Sequence, residues 1–539
     1  MSSLTEVVAI TQRGGSLGWT VAGGCAVATA LGGVRWLRVA QREHYLPDSA
    51  SRFALRWWRT TPANVLGVFV GLAGLVLAAR WTGAAFGSVA AVALGPLGLG
   101  LRGRTSPLAW TRRLRTLAAT WGLLQVVIVV VGVLTGFAAV VCAAGALAVP
   151  AIVDLACTVT GPLERRLAGR YVGRAAERLR RVGPKVVAIT GSYGKTSTKQ
   201  YVAHLLSGSM AVVESPASFN NRAGLARAVN EQLAEGTDVF VAEMGTYGRG
   251  EITELCSWMA PDVAVITAVG PVHLERFGGE DKIVQAKSEI LDRAGCCVIA
   301  VDDLRLADVA HACEAGGKRV WRVSGSVDAG GSALAQPRVS APDVDVSVVE
   351  RGEKLSVRVR GEVLVGDLSV AARPGNVACA VAVALELGVP ASEIAKRLGS
   401  LRVVAHRLEA HVAPGGFVVL DDTYNANPAG ARAALAALDE TAGDDGRRVV
   451  VTPGMVELGR RQADENEHFA AEVARVGADL VIVGRTNRRA LVSGYAPSSR
   501  APASLVLVGR REQAVGWVRE RLGQGDVVLY ENDVPDHYP

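Results

Sequence analysis

Residues 186–197 read VVAITGSYGKTS. An apolar, β-branched run leads into a glycine-bracketed turn, and Lys-Thr-Ser opens a helix. Residues 186–189 suit a buried strand. Gly191 and Gly194 permit a turn whose backbone N–H groups converge on an anion. Lys195 carries a compact positive charge to the β- and γ-phosphates of a nucleotide, and the Thr196 hydroxyl can hold Mg²⁺. The helix that begins here points its positive dipole end at the same anion. Gly191, Ser192, Tyr193, Gly194, Lys195, Thr196 and Ser197 are therefore the expected phosphate-binding residues. Only Ser192 and Tyr193 separate the two glycines, where the longest-known loop of this kind has four residues.

Outward from this stretch the chain divides in two. Its 539 residues allow about three domains. The averages, 50% hydrophobic and 20% charged, hide a difference: residues 1–160 are rich in Ala, Val, Leu and Gly, while residues 161–539 have the composition of a soluble α/β chain. The net charge of +7 does not point to nucleic acid, because the basic residues cluster beside the apolar segments, as membrane topology requires. The eight cysteines are scattered without CxxC or Cys/His spacing, which argues for reduced thiols and against zinc.

Apolar segments near 16–37, 62–81, 83–101, 117–135 and 137–159 approach bilayer length and predict about five transmembrane helices. Arg35, Arg38, Arg42, Arg52, Arg56 and Arg59 fall after the first. Arg102, Arg104, Arg112, Arg113 and Arg115 fall after the third, and Arg165, Arg166 and Arg170 after the fifth. With five spans these basic stretches share one side, the cytoplasmic one. The phosphate loop then faces the compartment that holds ATP. Residues 161–183, rich in Arg and Glu, read as a solvated linker helix along the membrane surface.

Between 184 and 402, strands and helices alternate, with apolar runs at 239–242, 263–267 and 297–301. That pattern predicts a parallel sheet covered on both faces. Glu243 follows the first of these runs in VFVAEMGTYGRGEI and suits a Mg²⁺ ligand, a helix cap or an ion pair. His273, in AVGPVHLERF, is a lone loop histidine. Lys287, in QAKSEIL, is a lone helical lysine. Asn220 and Asn221 precede a helix and can cap it. Residues 348–369 alternate at period two and predict a small antiparallel piece.

Taken together, the short GSYGKTS loop, AEMG, PVHLERFG and AKSEI resemble, in order and spacing, the Mur ligase family of ATP-dependent amide-bond-forming enzymes. The resemblance implies that Lys195 and Thr196 bind ATP phosphates and Mg²⁺, and that Glu243 helps hold that Mg²⁺. It implies that His273 and a carbamylated Lys287 hold a second Mg²⁺, and that Asn221, in ASFNNRAGL, lies at the catalytic centre. Carbamylation would turn a cation into the oxygen ligand that a hard divalent ion takes.

The C-terminal region, 403–539, carries DDTYNANP at 421–428 and PGMVELG at 453–459, both resembling the subfamily that adds D-alanyl-D-alanine to a UDP-muramoyl tripeptide. The resemblance implies nucleotide contacts from Asp422, Tyr424 and Asn425, and from Arg407 in a hinge-like Arg-Leu-Glu, with Arg407 also catalytic. Asn376, in GNVAC, is what remains of the family's adenine-contacting segment. The family's N-terminal UDP-gripping domain has membrane segments in its place. The expected fold class is α/β: a multi-pass helical membrane domain (1–160), the linker helix (161–183), a P-loop parallel-sheet ATPase domain (184–402) and a Rossmann-like domain (403–539). The expected function is a membrane-anchored ATP-dependent carboxylate–amine ligase of the cell envelope. Its partners would be ATP, two Mg²⁺, a carboxylate acceptor, an amino-acid or dipeptide amine, and membrane lipid, without nucleic acid. A nucleotide-driven transporter and an inactive scaffold are the competing readings. Against transport, the apolar segments carry almost no ionisable residue except Asp154.

Overall fold

The computed structural model describes residues 15–59, 61–99, 108–216, 219–272, 274–327, 344–351, 354–370, 372–401, 409–423, 427–443, 446–496 and 503–533. They divide into a unit that runs to Leu167 and a second from Ala168 to Asp533.

The first unit is helical. Gly15–Arg42 and Arg112–Leu134 are each long and apolar enough to cross a bilayer. Ser49–Trp57 and Pro62–Ala78 form a pair bent by 114°, and Ala138–Leu147 and Val149–Val182 a pair bent by 73°. Among the described residues this gives two candidate spans, or up to four if each bent pair is one, beside the five expected. The helix Ala85–Leu94 has ten residues, so it rises about 15 Å, half of a hydrocarbon core. It instead folds back on Pro62–Ala78. Gly74 lets the two backbones touch, and the Ser88 hydroxyl donates to the Gly71 carbonyl at 2.7 Å. Asp154 is buried, and its carboxylate accepts the Ala50 and Ser51 amides at 3.0 and 2.8 Å. It therefore caps the start of the helix Ser49–Trp57, a structural role. Leu66, Phe69, Val76, Leu123, Val126 and Leu134 are exposed.

In the second unit a nine-stranded sheet has the order β2-β3-β1-β4-β5-β6-β7-β8-β9. The strands are β1 Lys185–Thr190, β2 Val212–Glu214, β3 Val239–Glu243, β4 Val263–Ile266, β5 Cys296–Ala300, β6 Arg319–Val327, β7 Val346–Arg351, β8 Lys354–Val359 and β9 Glu362–Leu368. Pairing is parallel from β2 to β7 and antiparallel from β7 to β9. The antiparallel piece expected at 348–369 thus extends the main sheet. β1, β3, β4 and β5 are buried on both faces, which is why they read as unbroken apolar runs rather than alternating ones. One face packs on the helices Lys195–Leu206 and Pro374–Glu386, the other on Arg222–Gln232, Glu251–Trp258 and Leu304–Ala315.

Residues 168–182 also cover that second face. Val172, Ala175 and Leu179 are buried in its core, and the Arg178 guanidinium donates to the Leu233 carbonyl at 2.7 Å. The stretch expected as a solvated linker is the end of one continuous helix, Val149–Val182, docked on the sheet. Val172, Ala175 and Leu179 sit at helical spacing in a stretch rich in arginine, a stripe too narrow to stand out by composition.

The rest of the second unit carries a six-stranded sheet ordered β10-β11-β15-β12-β13-β14. These are β10 Glu409–Val412, β11 Val418–Asp422, β12 Arg448–Thr452, β13 Asp479–Val483, β14 Leu505–Val508 and β15 Val527–Glu531. All pairs are parallel except β10–β11. Helices Pro428–Ala442 and Gln462–Arg475 cover one face, and Arg511–Arg521 the other.

Candidate active site

The strand order puts β1 between β3 and β4, so the chain reverses its direction of travel across the sheet at β1. Open α/β sheets bind ligands beyond the carboxyl ends of the strands at such a point. The loop 191–194 lies there. Gly194 has φ +79°, and a Cβ on it would meet the Asn376 amide oxygen. A Cβ on Gly191 would meet the Thr267 hydroxyl and the Tyr193 carbonyl. Both glycines are therefore needed for close approach. Thr267 donates to the Tyr193 carbonyl, and the Ser192 amide donates to the Ala268 carbonyl at 2.7 Å. Thr267, which sequence reasoning missed, locks the loop onto the end of β4. The only signal was a threonine closing an apolar strand.

Behind the loop two lysines meet. The Lys195 and Lys287 ammonium nitrogens both lie 2.8 Å from the Gly191 carbonyl. Lys287 is buried, and burial together with the neighbouring Lys195 charge pushes its amine well below the usual lysine range. Helix Glu280–Ser288 brings it there from 96 residues away.

On the other side, β3 ends at Glu243, which is 4% exposed. The Thr196 hydroxyl donates to one carboxylate oxygen of Glu243 at 2.8 Å, and the Asn220 amide to the other at 3.3 Å. A carboxylate facing a hydroxyl at a phosphate loop is a hard oxygen donor set. It fits Mg²⁺, which keeps several waters and takes few protein ligands beside substrate phosphates. Among the described residues no three His, Cys, Asp or Glu side chains converge on a common point. Of the Asn pair, Asn221 caps the helix Arg222–Gln232 through the Gly224 amide at 2.9 Å, while Asn220 approaches Glu243. Asn221 is thus a helix cap in this structure, and its neighbour is the residue that reaches the site.

His273, Arg407, Tyr424 and Asn425 lie outside the described residues. Ser197 is buried in the first turn of the helix after the loop. Asp422 ends β11 and is buried, and Asn427 caps the helix Pro428–Ala442 through the Gly430 amide. The second sheet therefore also presents its residues at strand carboxyl ends, next to the crossing of β15 between β11 and β12. The two sheets' domains touch through Glu280. Its carboxylate pairs with Arg305 and, at 2.7 Å, with Arg461 from the turn before Gln462–Arg475. The half-buried Tyr193 ring lies against Gly270.

A loop shaped for phosphates and backed by an acid–hydroxyl pair places this chain in the P-loop class of nucleotide-using enzymes. The sequence profile of the Mur ligase middle domain matches residues 189–373, and that of the Mur ligase glutamate ligase domain matches residues 406–530. The UDP-N-acetylmuramoyl-tripeptide–D-alanyl-D-alanine ligase of Mycobacterium tuberculosis is 33% identical over 374 residues, covering 64% of this chain and 70% of that protein. The Bacillus subtilis enzyme of the same name is 26% identical over 356 residues, covering 66% and 74%. A crystal structure of MurF from Acinetobacter baumannii superposes with TM-score 0.56 at 25% identity, covering 68% of this chain and 78% of that one. The chain belongs to the Mur ligase family and is an ATP-dependent carboxylate–amine ligase. Neither profile reaches the first 188 residues.

Proposed function

We propose that this protein is a membrane-anchored ligase of cell-wall precursor synthesis. It joins the carboxylate of a peptide-bearing acceptor to the amine of an amino acid or dipeptide near D-alanyl-D-alanine. The observation that carries the ligase reading is the pairing of Thr196 with Glu243 beside Lys195 at the carboxyl end of β1. An acceptor carboxylate oxygen attacks the γ-phosphorus of ATP, the bond to ADP breaks, and an acylphosphate forms. The amine then attacks the acyl carbon, and phosphate leaves with the carboxylate oxygen. Lys195 and the loop amides hold the phosphates in place and offset the repulsion between carboxylate and polyphosphate. Mg²⁺ at Thr196 and Glu243 would supply further charge neutralisation.

Lys287 is proposed to carry a carbamate. A neutral amine attacks CO₂, and burial beside Lys195 favours the neutral form. The carbamate would then share a second Mg²⁺ with His273. Membrane anchoring is supported by the helix Arg112–Leu134, whose side chains Leu123, Val126, Val127, Val130 and Leu134 face outward. Each such side chain costs about 1.5–3 kcal/mol exposed to water rather than buried. Five of them together rival the whole stability of a domain, about 5–15 kcal/mol, so this face suits lipid. The catalytic unit would then lie on the cytoplasmic side, and the acceptor would be UDP-linked or lipid-linked.

The test is phosphate release by the full-length protein in lipid nanodiscs, with a panel of peptide acceptors and amines. Release should require both partners. Lys195→Ala should lower it by roughly 10²-fold or more, the scale of losing one preorganised electrostatic contact. Release that needs neither partner would refute the ligase reading.

A further inference from the structure

One turn beyond Lys195 on the same helix stands a lysine that the phosphate contacts do not use. Lys199 is 1% exposed, and its ammonium donates to the backbone carbonyl of Ser215, the residue that follows β2. Burying an ammonium costs several kcal/mol unless it is well partnered. A methionine would fill the same space between helix and sheet without that cost, so packing alone does not account for this lysine.

What the ammonium holds leads to the metal site. Ser215 is fully buried, its amide donates to the Val241 carbonyl at 2.8 Å, and its hydroxyl accepts the Glu243 backbone N–H at 3.1 Å. Ser215 thus ties the end of β2 to the end of β3. The same segment leads on to Asn220, whose amide reaches the Glu243 carboxylate and whose carbonyl accepts the Gly245 N–H at 2.8 Å. The Glu214 carboxylate lies within electrostatic reach of both Lys199 and Glu243. The buried ammonium is therefore linked to the Glu243 carboxylate through Glu214 as well as through Ser215.

We propose that Lys199 is a positioning residue for Mg²⁺: anchored on the Ser215 carbonyl, it fixes the Ser215 hydroxyl, the Glu243 backbone and so the carboxylate that faces Thr196. The inference rests on the reading of Thr196 and Glu243 as the Mg²⁺ site. Partners of this kind behind a ligand change metal affinity by about 10–100-fold when removed.

The experiment is calorimetric titration of ADP into the full-length protein, with Mg²⁺ and with chelator, for the wild type, Lys199→Met and Ser215→Ala. The readout is the factor by which Mg²⁺ strengthens ADP binding. Lys199→Met should cut that factor about tenfold or more, the lower end of such effects. Binding in chelator, which uses the loop amides and Lys195, should weaken by a smaller factor. Ser215→Ala should act in the same direction with Lys199 intact. An unchanged Mg²⁺ factor in folded Lys199→Met would overturn the inference, as would equal weakening with and without Mg²⁺. If Lys199→Met does not fold, an unchanged factor in Ser215→Ala overturns it. A wild type whose ADP binding ignores Mg²⁺ would overturn the metal reading itself, and this inference with it.

Discussion

Lys287 shows how a residue that looks ordinary in the sequence acquires its chemistry from long-range packing. On its own helix it is one more lysine. The fold places it 2.8 Å from the Gly191 carbonyl, out of water and against Lys195. Incubating the protein with isotopically labelled bicarbonate should give a carbamate carbon signal by NMR that disappears in Lys287→Met. An unlabelled wild-type protein would contradict the carbamate. The positions of the 191–194 loop and of Glu243 at strand ends were legible because each follows directly on an apolar strand and needs only local geometry. Asn220 and Asn221 were not separable, since which one caps and which reaches Glu243 depends on how the loop after β2 meets β3. Thr267 and Lys199 were illegible for the same reason: their partners, Tyr193 and Ser215, come from other strands' ends.

The strands and helices of both sheets could be anticipated from apolar runs, but not every packing partner. Residues 530–539 read YENDVPDHYP. The first two end β15, the strand between β11 and β12. There Glu531 is wholly buried, accepts the Thr452 hydroxyl and lies near Asp422. Burial pushes its carboxyl up to about 8, with the Thr452 contact opposing and Asp422 adding to the rise. An unfolded glutamate titrates at about 4.3. Between these values the folded chain binds more protons than the unfolded one, so stability falls as pH rises through that window and levels off above about 8. Glu531→Gln, which is neutral throughout, should flatten the dependence of the melting temperature on pH between about 5 and 8. Equal slopes for variant and wild type would show that Glu531 ionises freely. The helix Val149–Val182 teaches a related lesson, since its charged composition suggested solvent while Val172, Ala175 and Leu179 dock on the sheet.

At the scale of the molecule, an apolar helical unit precedes an ATP-dependent ligase, and composition alone separated the two. The number of spans was not legible, because apolar runs do not report where a helix stops or bends, and Ala85–Leu94 stops after ten residues. The proposed anchoring predicts that the full-length protein stays with membranes through high-salt and alkaline washes and leaves only in detergent. Release by salt would mean surface attachment instead. The claim at the centre of the account is that ATP is used to activate a carboxylate. It is tested most directly by labelling the acceptor carboxylate with heavy oxygen and examining the released phosphate by mass spectrometry. The acylphosphate route predicts one labelled oxygen in each phosphate formed. Phosphate that carries no label from the acceptor, its new oxygen coming from solvent water, would mean simple ATP hydrolysis and would contradict it.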